Sequence, residues 1–151
     1  MGYTIEKLTP ENYQRCDNIW NMSKHPEMAK KFYDQLVDGN RIIFVYIEDG
    51  EYLGEGSVVF DKDDPDYTIP HERIYLSRMV VKKEHRGRGI GSIILGHIFD
   101  YARGLGYKEI SVGVDIDNYR ARWLYEKNGF TNTIFVGEDT AGKYVKLLKT
   151  L

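Results

Sequence analysis

Cysteine is nearly missing from this chain: Cys16 stands alone among 151 residues, which excludes an internal disulfide and any Cys-x-x-Cys metal or redox motif and suits a reducing compartment. Positive charge is not in excess. The 21 Lys and Arg are set against 23 Asp and Glu, a net charge of −2, so no global field would hold nucleic acid or an anionic membrane and any basic site must be local. Long apolar runs are also missing. Ile42 to Ile47 falls far short of the roughly 20 residues that span a bilayer. Met1 to Pro10 has no apolar leader, and Glu6 stands where a myristoylation pattern needs Ser or Thr. The four histidines lack a spacing such as His-Glu-x-x-His, so no metal is implied. The expectation is a cytoplasmic protein with no nucleic-acid and no membrane partner.

What is present describes a folded domain. At 42% hydrophobic and 29% charged residues the composition is globular, and the length matches one domain of about 150 residues, taken here as 1–151. Tyr3 to Leu8 reads as a short strand. Thr9-Pro10-Glu11 then opens a helix with a hydroxyl cap and an N1 proline, burying Tyr13, Cys16 and Trp20 on one face. A second helix follows Pro26, with Met28, Phe32 and Leu36 at i, i+4, i+8 and Gly39 as its left-handed stop. Arg41 to Glu48 and Tyr52 to Phe60 flank Asp49-Gly50, the signal of a tight hairpin. Acidic, proline-bearing Asp61 to His71 reads as a loop, and Arg73 to Val81 as a strand. Next come a helix over Gly89 to Arg103, a strand over Lys108 to Val114 and a helix over Asn118 to Asn128. Strands at Phe130 to Val136 and Lys143 to Leu148 close the chain. Strands separated by helices, with hairpins at both ends, give an α/β (α+β) fold: a mixed central sheet flanked by about four helices.

The densest chemical signal is Val80 to Ser92 (VVKKEHRGRGIGS), where a strand runs through a basic, glycine-rich loop into a helix. A helix start presents unpaired N–H groups and a positive partial charge, and Gly87, Gly89 and Gly91 would let the oxygens of a phosphate approach them. Lys82, Lys83, Arg86 and Arg88 add charge. Gly-x-x-x-x-Gly-Lys-Ser/Thr does not occur, and Gly87-x-Gly89-x-Gly91 lacks the spacing of the dinucleotide fingerprint.

What remains, Arg86-x-x-Gly89-x-Gly91, resembles the Gln/Arg-x-x-Gly-x-Gly/Ala loop of the GCN5-related N-acetyltransferase (GNAT) family. Downstream, Asn118-Tyr-Arg-Ala121-Arg-Trp-Leu124-Tyr125-Glu-Lys127-Asn-Gly129-Phe130 resembles that family's Asn-x-x-Ala-x-x-Leu-Tyr-x-Lys-x-Gly-Phe segment. The resemblance is detailed over residues 74–130, which implies an acetyl-coenzyme A binding core there and leaves 1–40 as the substrate side. It implies acetyl-coenzyme A as cosubstrate. Backbone groups of Met79, Val80 and Val81 would face its acetyl and pantetheine parts, Arg86, Gly87, Arg88, Gly89, Ile90, Gly91 and Ser92 its pyrophosphate, and Asn118 its pantetheine arm. For Asn118 a plain helix cap is the competing role. Tyr125 would protonate the departing thiolate, a task suited to a phenol that stays protonated at neutral pH, with core packing as its competing role.

Some family members carry a carboxylate base on the fourth strand. Tyr75 occupies that register here, which leaves Glu72, three residues earlier, with Glu55 and Asp115 as further candidates. Activity is therefore expected to follow the amine's own titration, and removing any one of these carboxylates is expected to cost less than about 10²-fold. Cys16 is expected to be a buried hydrophobe, not an acyl carrier. The implied activity is direct acetyl transfer to a primary amine of a small molecule or peptide, the acidic Asp61 to Asp66 loop slightly favouring a small amine or polyamine, by a monomer or homodimer. Two rivals are a degenerate acyl-coenzyme A binding or sensing module and a nucleic-acid binder built on the Lys82 to Arg88 cluster. Net charge and the lack of adjacent stacking aromatics count against the second.

Overall fold

Asp49 and Gly50 take φ of 52° and 76°, the two positive angles that match a tight hairpin to the twist of its strands. Around them β2 (Arg41–Glu48) and β3 (Glu51–Val59) pair antiparallel from Arg41↔Val59 to Glu48↔Glu51. The register shifts between Tyr46 and Ile47, a bulge of the kind that adds local twist. The computed structural model describes residues 2–151; Met1, the first residue of the segment read for a leader, lies outside the described residues.

The other strands are β1 (Tyr3–Lys7), β4 (Arg73–Val81), β5 (Glu109–Asp115), β6 (Asn132–Asp139) and β7 (Gly142–Thr150). They form a mixed sheet in the order β1-β2-β3-β4-β5-β7-β6. β4 and β5 run parallel, paired from Arg73↔Glu109 to Leu76↔Val112, and the remaining registered neighbours are antiparallel. Among the described residues three α-helices, α1 (Pro26–Asp38), α2 (Ile90–Gly104) and α3 (Tyr119–Lys127), accompany them. Gly39 ends α1 at φ 86°, as its sequence position implied.

The segment after Thr9 differs from expectation. It is a 3₁₀ helix, Pro10–Asn18, and the Thr9 side chain makes no capping bond. With three residues per turn the buried face is Tyr13, Cys16 and Ile19, whereas Trp20, chosen on a 3.6-residue period, lies past the helix end and is half-buried.

The chain divides into two compact units. The first comprises the chain up to Val59 with Arg78–Ile98. Its core joins Leu8, Tyr13, Cys16, Met22, Leu36, Ile43, Val45 and Tyr52. On the other face of β3, a Cβ at Gly56 would come within 2.9 Å of Ile94, Ile98 and Met79, so that glycine is what lets α2 approach the strand. The second unit comprises Phe60–Ser77 and Phe99–Leu151. Ile74, Leu76, Ile110, Phe130 and Leu147 are buried in it, and the Phe99 and Phe130 rings meet at 5.9 Å.

In the second unit the acidic loop is clipped to β7. Lys146, 6% exposed, donates to Asp64 at 2.9 Å and Asp66 at 3.0 Å and lies over the rings of Tyr67 and Phe135. Two of the charges offered above as an attraction for a cationic acceptor are thus counterions to a buried lysine. Burial opposes the Lys146 charge, but the two aspartates outweigh it and raise its pKa, while Lys146 holds Asp64 below the usual carboxylate range. Asp64→Asn with Asp66→Asn is expected to destabilise the fold by about 3 kcal/mol, because the ammonium keeps its burial and loses both partners. Lys146→Met should cost less, since it leaves two better-solvated carboxylates. As the folded Asp64 pKa is lowered, the clip's contribution is present above the ordinary carboxylate range and lost as pH falls through it, which urea titrations at neutral and acid pH will measure.

Candidate active site

In the first unit, β4 ends at Met79, Val80 and Val81, all half-buried, and Lys82 N–H donates to the Leu53 carbonyl at 2.8 Å to fasten the strand end to β3. Arg86 Nε folds back to the Val81 carbonyl at 3.2 Å. Gly87 and Gly89 follow with φ of 84° and 82°, and a Cβ built at either meets nothing within 4 Å. These glycines are needed for their backbone angles, and the space they face is open. The Ile93 N–H closes the first helical bond on Gly89 O at 3.1 Å, so Ile90, Gly91 and Ser92 form the first turn of α2, whose N–H groups precede the helix's own acceptors. This strand, open left-handed loop and helix start fit a pyrophosphate, whose oxygens need convergent N–H donors and no intervening side chain.

The Arg88 side chain, unlike its backbone N–H, has other partners. Its terminal nitrogen bonds both Glu48 oxygens at 2.8 and 3.0 Å, and its other one lies 2.8 Å from His85 Nδ1. The arginine holds the Glu48 carboxyl below its ordinary pKa.

In the second unit, Asn118 caps α3, its Oδ1 accepting from the Ala121 N–H at 3.2 Å. The capping role weighed from the sequence is therefore real, and any pantetheine contact falls to the remaining amide group. One turn on, Tyr125 is 7% exposed and meets Phe130 edge-on at 5.6 Å and 70°. Burial, and then nearby Tyr75, push its phenol up to about 12. Packing and a protonated donor coexist at this residue. Tyr75, in the register where a base was sought, meets the Tyr67 ring at 4.3 Å, the two planes tilted by 34°.

The candidate carboxylates separate clearly. Glu72 is exposed and immediately precedes the first residue of β4. Asp115, the last residue of β5, is exposed. Glu55 alone is buried, 3% exposed on β3, where desolvation raises its pKa against the opposing effects of Arg78 and Arg41. Beside it Cys16 is fully buried, and burial, then Glu55, drive its thiol pKa far up, which leaves it unsuited to acyl transfer. Sequence reasoning passed over Arg78. The available signal was a guanidinium in the otherwise apolar half-strand Ser77-Arg78-Met79-Val80-Val81.

Residues 5–130 match the model of the Acetyltransferase (GNAT) family. Human N-acetyltransferase 8B is 34% identical over 71 residues, 47% of this chain and 30% of that protein. N-acetyltransferase 8 of Rattus norvegicus is 27% identical over 120 residues, 80% of this chain and 53% of that protein. The chain thus spans about half or less of the length of these curated relatives. Among solved structures, the PaiA N-acetyltransferase of Thermoplasma acidophilum, in complex with coenzyme A, superposes with a TM-score of 0.73 at 17% identity over all of both chains. Both motifs read from the sequence, Arg86 to Gly91 and Asn118 to Phe130, fall within the matched span, and this chain belongs to the GNAT acetyltransferase family.

Proposed function

We propose that the chain is a single N-acetyltransferase domain that uses acetyl-coenzyme A to acetylate a primary amine directly. The observation that carries this reading is the continuity of β4, the open loop with left-handed Gly87 and Gly89, and the start of α2, within a family-matched span. The coenzyme A complex of the Thermoplasma relative supports the choice of cosubstrate. Bound there, acetyl-coenzyme A supplies an acetyl group already activated as a thioester.

The chain's own residues have separate tasks. Gly87 to Ser92 bind the pyrophosphate through backbone N–H groups, assisted by Arg86. Backbone N–H groups of Met79 to Val81 orient and polarise the acetyl carbonyl, a preorganised dipole that needs no charged side chain. Asn118 steadies the pantetheine arm with its amide nitrogen while its oxygen caps α3. Tyr125 keeps its proton at every physiological pH and delivers it to sulfur as the thiolate departs. Glu72, with Glu55 and Asp115 as further candidates, is the carboxylate offered for the amine's proton, and no one of them is expected to contribute more than about 10²-fold.

Calorimetry is expected to detect coenzyme A binding and no binding of NAD or ATP, and thiol release from acetyl-coenzyme A should appear with at least one member of a panel of amines, amino acids and peptides. The rate should rise with pH through the titration of the acceptor amine. Absence of coenzyme A binding by the folded protein sinks the reading. Binding without thiol release on any acceptor favours the sensing module.

A further inference from the structure

Arg78 is an arginine with more hydrogen-bonding capacity than its surroundings use. Its side chain is 19% exposed, and its guanidinium carbon lies 4.4 Å over the Trp20 ring and 5.4 Å over Phe32, contacts that fix the plane of the group and offer it no acceptor. On the inner edge Nε is 3.5 Å from Glu55 Oε1, too far for a well-formed hydrogen bond, and both atoms are buried without a hydrogen-bond partner. At the outer edge the polar contact is the thioether of exposed Met28, 3.7 Å from a terminal nitrogen. A thioether is a weak acceptor for a charged donor. Trp20 Nε1, on the indole stacked against this guanidinium, is also buried and unpartnered. The inner edge of the guanidinium is thus neutralised by Glu55, while its outer fork has only a thioether to donate to and is open to a better acceptor.

The cluster's position gives it a purpose. Arg78 immediately precedes Met79 on β4, and Glu55 lies on β3 where Gly54 comes within 3.4 Å of the Val80 carbonyl if given a Cβ. Trp20, Phe32 and Met28 come from the N-terminal segments read as the substrate side. We propose that Arg78 binds the carboxylate of the acceptor, so that the preferred substrate is a small amino carboxylate, with its amine a few atoms from the acid group. This rests on the acetyltransferase reading above and names the acceptor class of that same site. A guanidinium fork matches a planar carboxylate with two parallel bonds, Glu55 remains as the counter-charge on the inner edge, and the aromatic pair prevents the fork from turning away. A lysine side chain or a peptide N-terminus carries no such neighbouring carboxylate and is a poorer fit.

The test compares α-amino acids with their carboxamides, whose amines are less basic, so each rate is referred to the concentration of neutral amine and the remaining difference is the charged fork partner. For the wild-type protein kcat/KM, read by thiol release, is expected to be about 10- to 100-fold higher for the acids. Arg78→Met, which keeps an unbranched apolar chain against Trp20 and Phe32, should erase that preference by raising KM for the acids far more than for the carboxamides. A binding measurement keeps the question open to refutation should that variant fail to fold. Trp123, exposed on α3, is the second of two tryptophans, so Trp123→Phe leaves Trp20 as the only indole reporter. With coenzyme A present, its fluorescence should change saturably with amino acids and not with carboxamides. Equal thiol release on acids and carboxamides, with no selective Trp20 response, overturns the carboxylate site and leaves the acetyltransferase reading standing. A selective Trp20 response without thiol release on any acceptor supports the site and defeats that reading.

Discussion

Tyr125→Phe is expected to lower turnover about 10²- to 10⁴-fold while coenzyme A affinity and the thermal midpoint hardly move. The separation of effects follows from the packing. The ring of Tyr125 meets Phe130 edge-on at 5.6 Å, a contact that phenylalanine keeps. What disappears is a proton donor. With the phenol pushed up to about 12 by burial and by Tyr75, the wild-type rate should show no alkaline decline from this group across the neutral range. A variant that turns over at a similar rate on a cognate amine would reduce Tyr125 to a packing residue and leave water to protonate the thiolate. Steady-state kinetics beside a melting curve distinguish the two.

Replacing Gly89 and Gly91 together with valine should remove coenzyme A binding, a loss beyond about 10²-fold, in a chain that still folds. At Gly89 the obstacle is angular: nothing lies within 4 Å of an added Cβ, but φ is 82°, a region that a β-branched residue leaves at the first opportunity. Relaxation to negative φ turns the loop's N–H groups away from the direction in which they converge. Gly91, buried in the first turn of α2, would gain bulk beside those same groups. Since Gly87, Arg88 and Gly89 are exposed, the distortion at Gly89 is confined to the loop, and circular dichroism checks that the buried Gly91 change leaves the helix content native. Unchanged coenzyme A affinity in the folded double variant contradicts the phosphate placement.

Local chemistry made most elements legible. Asp49-Gly50 announced its hairpin and Gly39 its helix end, because positive φ has few tenants. Residues 73–81 were read as a strand with the bounds observed, since an apolar run flanked by a polar loop and a basic turn has one good reading. The period of the Pro10–Asn18 helix was not legible: Tyr13, Cys16 and Ile19 fit a three-residue turn while Tyr13, Cys16 and Trp20 fit a 3.6-residue one, and the buried set is the first. At the site, motif residues could be named but their present partners could not. Arg88 on Glu48, Lys146 on Asp64 and Asp66, and Arg78 between Trp20 and Glu55 join residues 23 to 82 positions apart, and no local pattern encodes such pairings. Glycine was misjudged in one respect. Attention went to the phosphate loop, whereas Gly54 and Gly56 serve the close approach of Ile90, Ile94 and Ile98 to β3.

The strand order carries a consequence for vectorial synthesis. β7, made after β6, is inserted between β5 and β6, paired to β5 from Glu109↔Thr150 to Asp115↔Tyr144 and to β6 from Asn132↔Leu148 to Asp139↔Gly142. As the chain leaves the ribosome, β5 and β6 therefore emerge with the strand that joins them still inside the tunnel. Until residues 142–150 are free, β5 presents an apolar edge of Ile110, Val112 and Val114 without its later neighbour, the kind of unpaired edge on which nascent chains aggregate. Pairing of β5 and β6 through β7 thus waits on residues 142–150, and a nascent chain stalled before Gly142 should depend on chaperones far more than one whose Thr150 has left the tunnel.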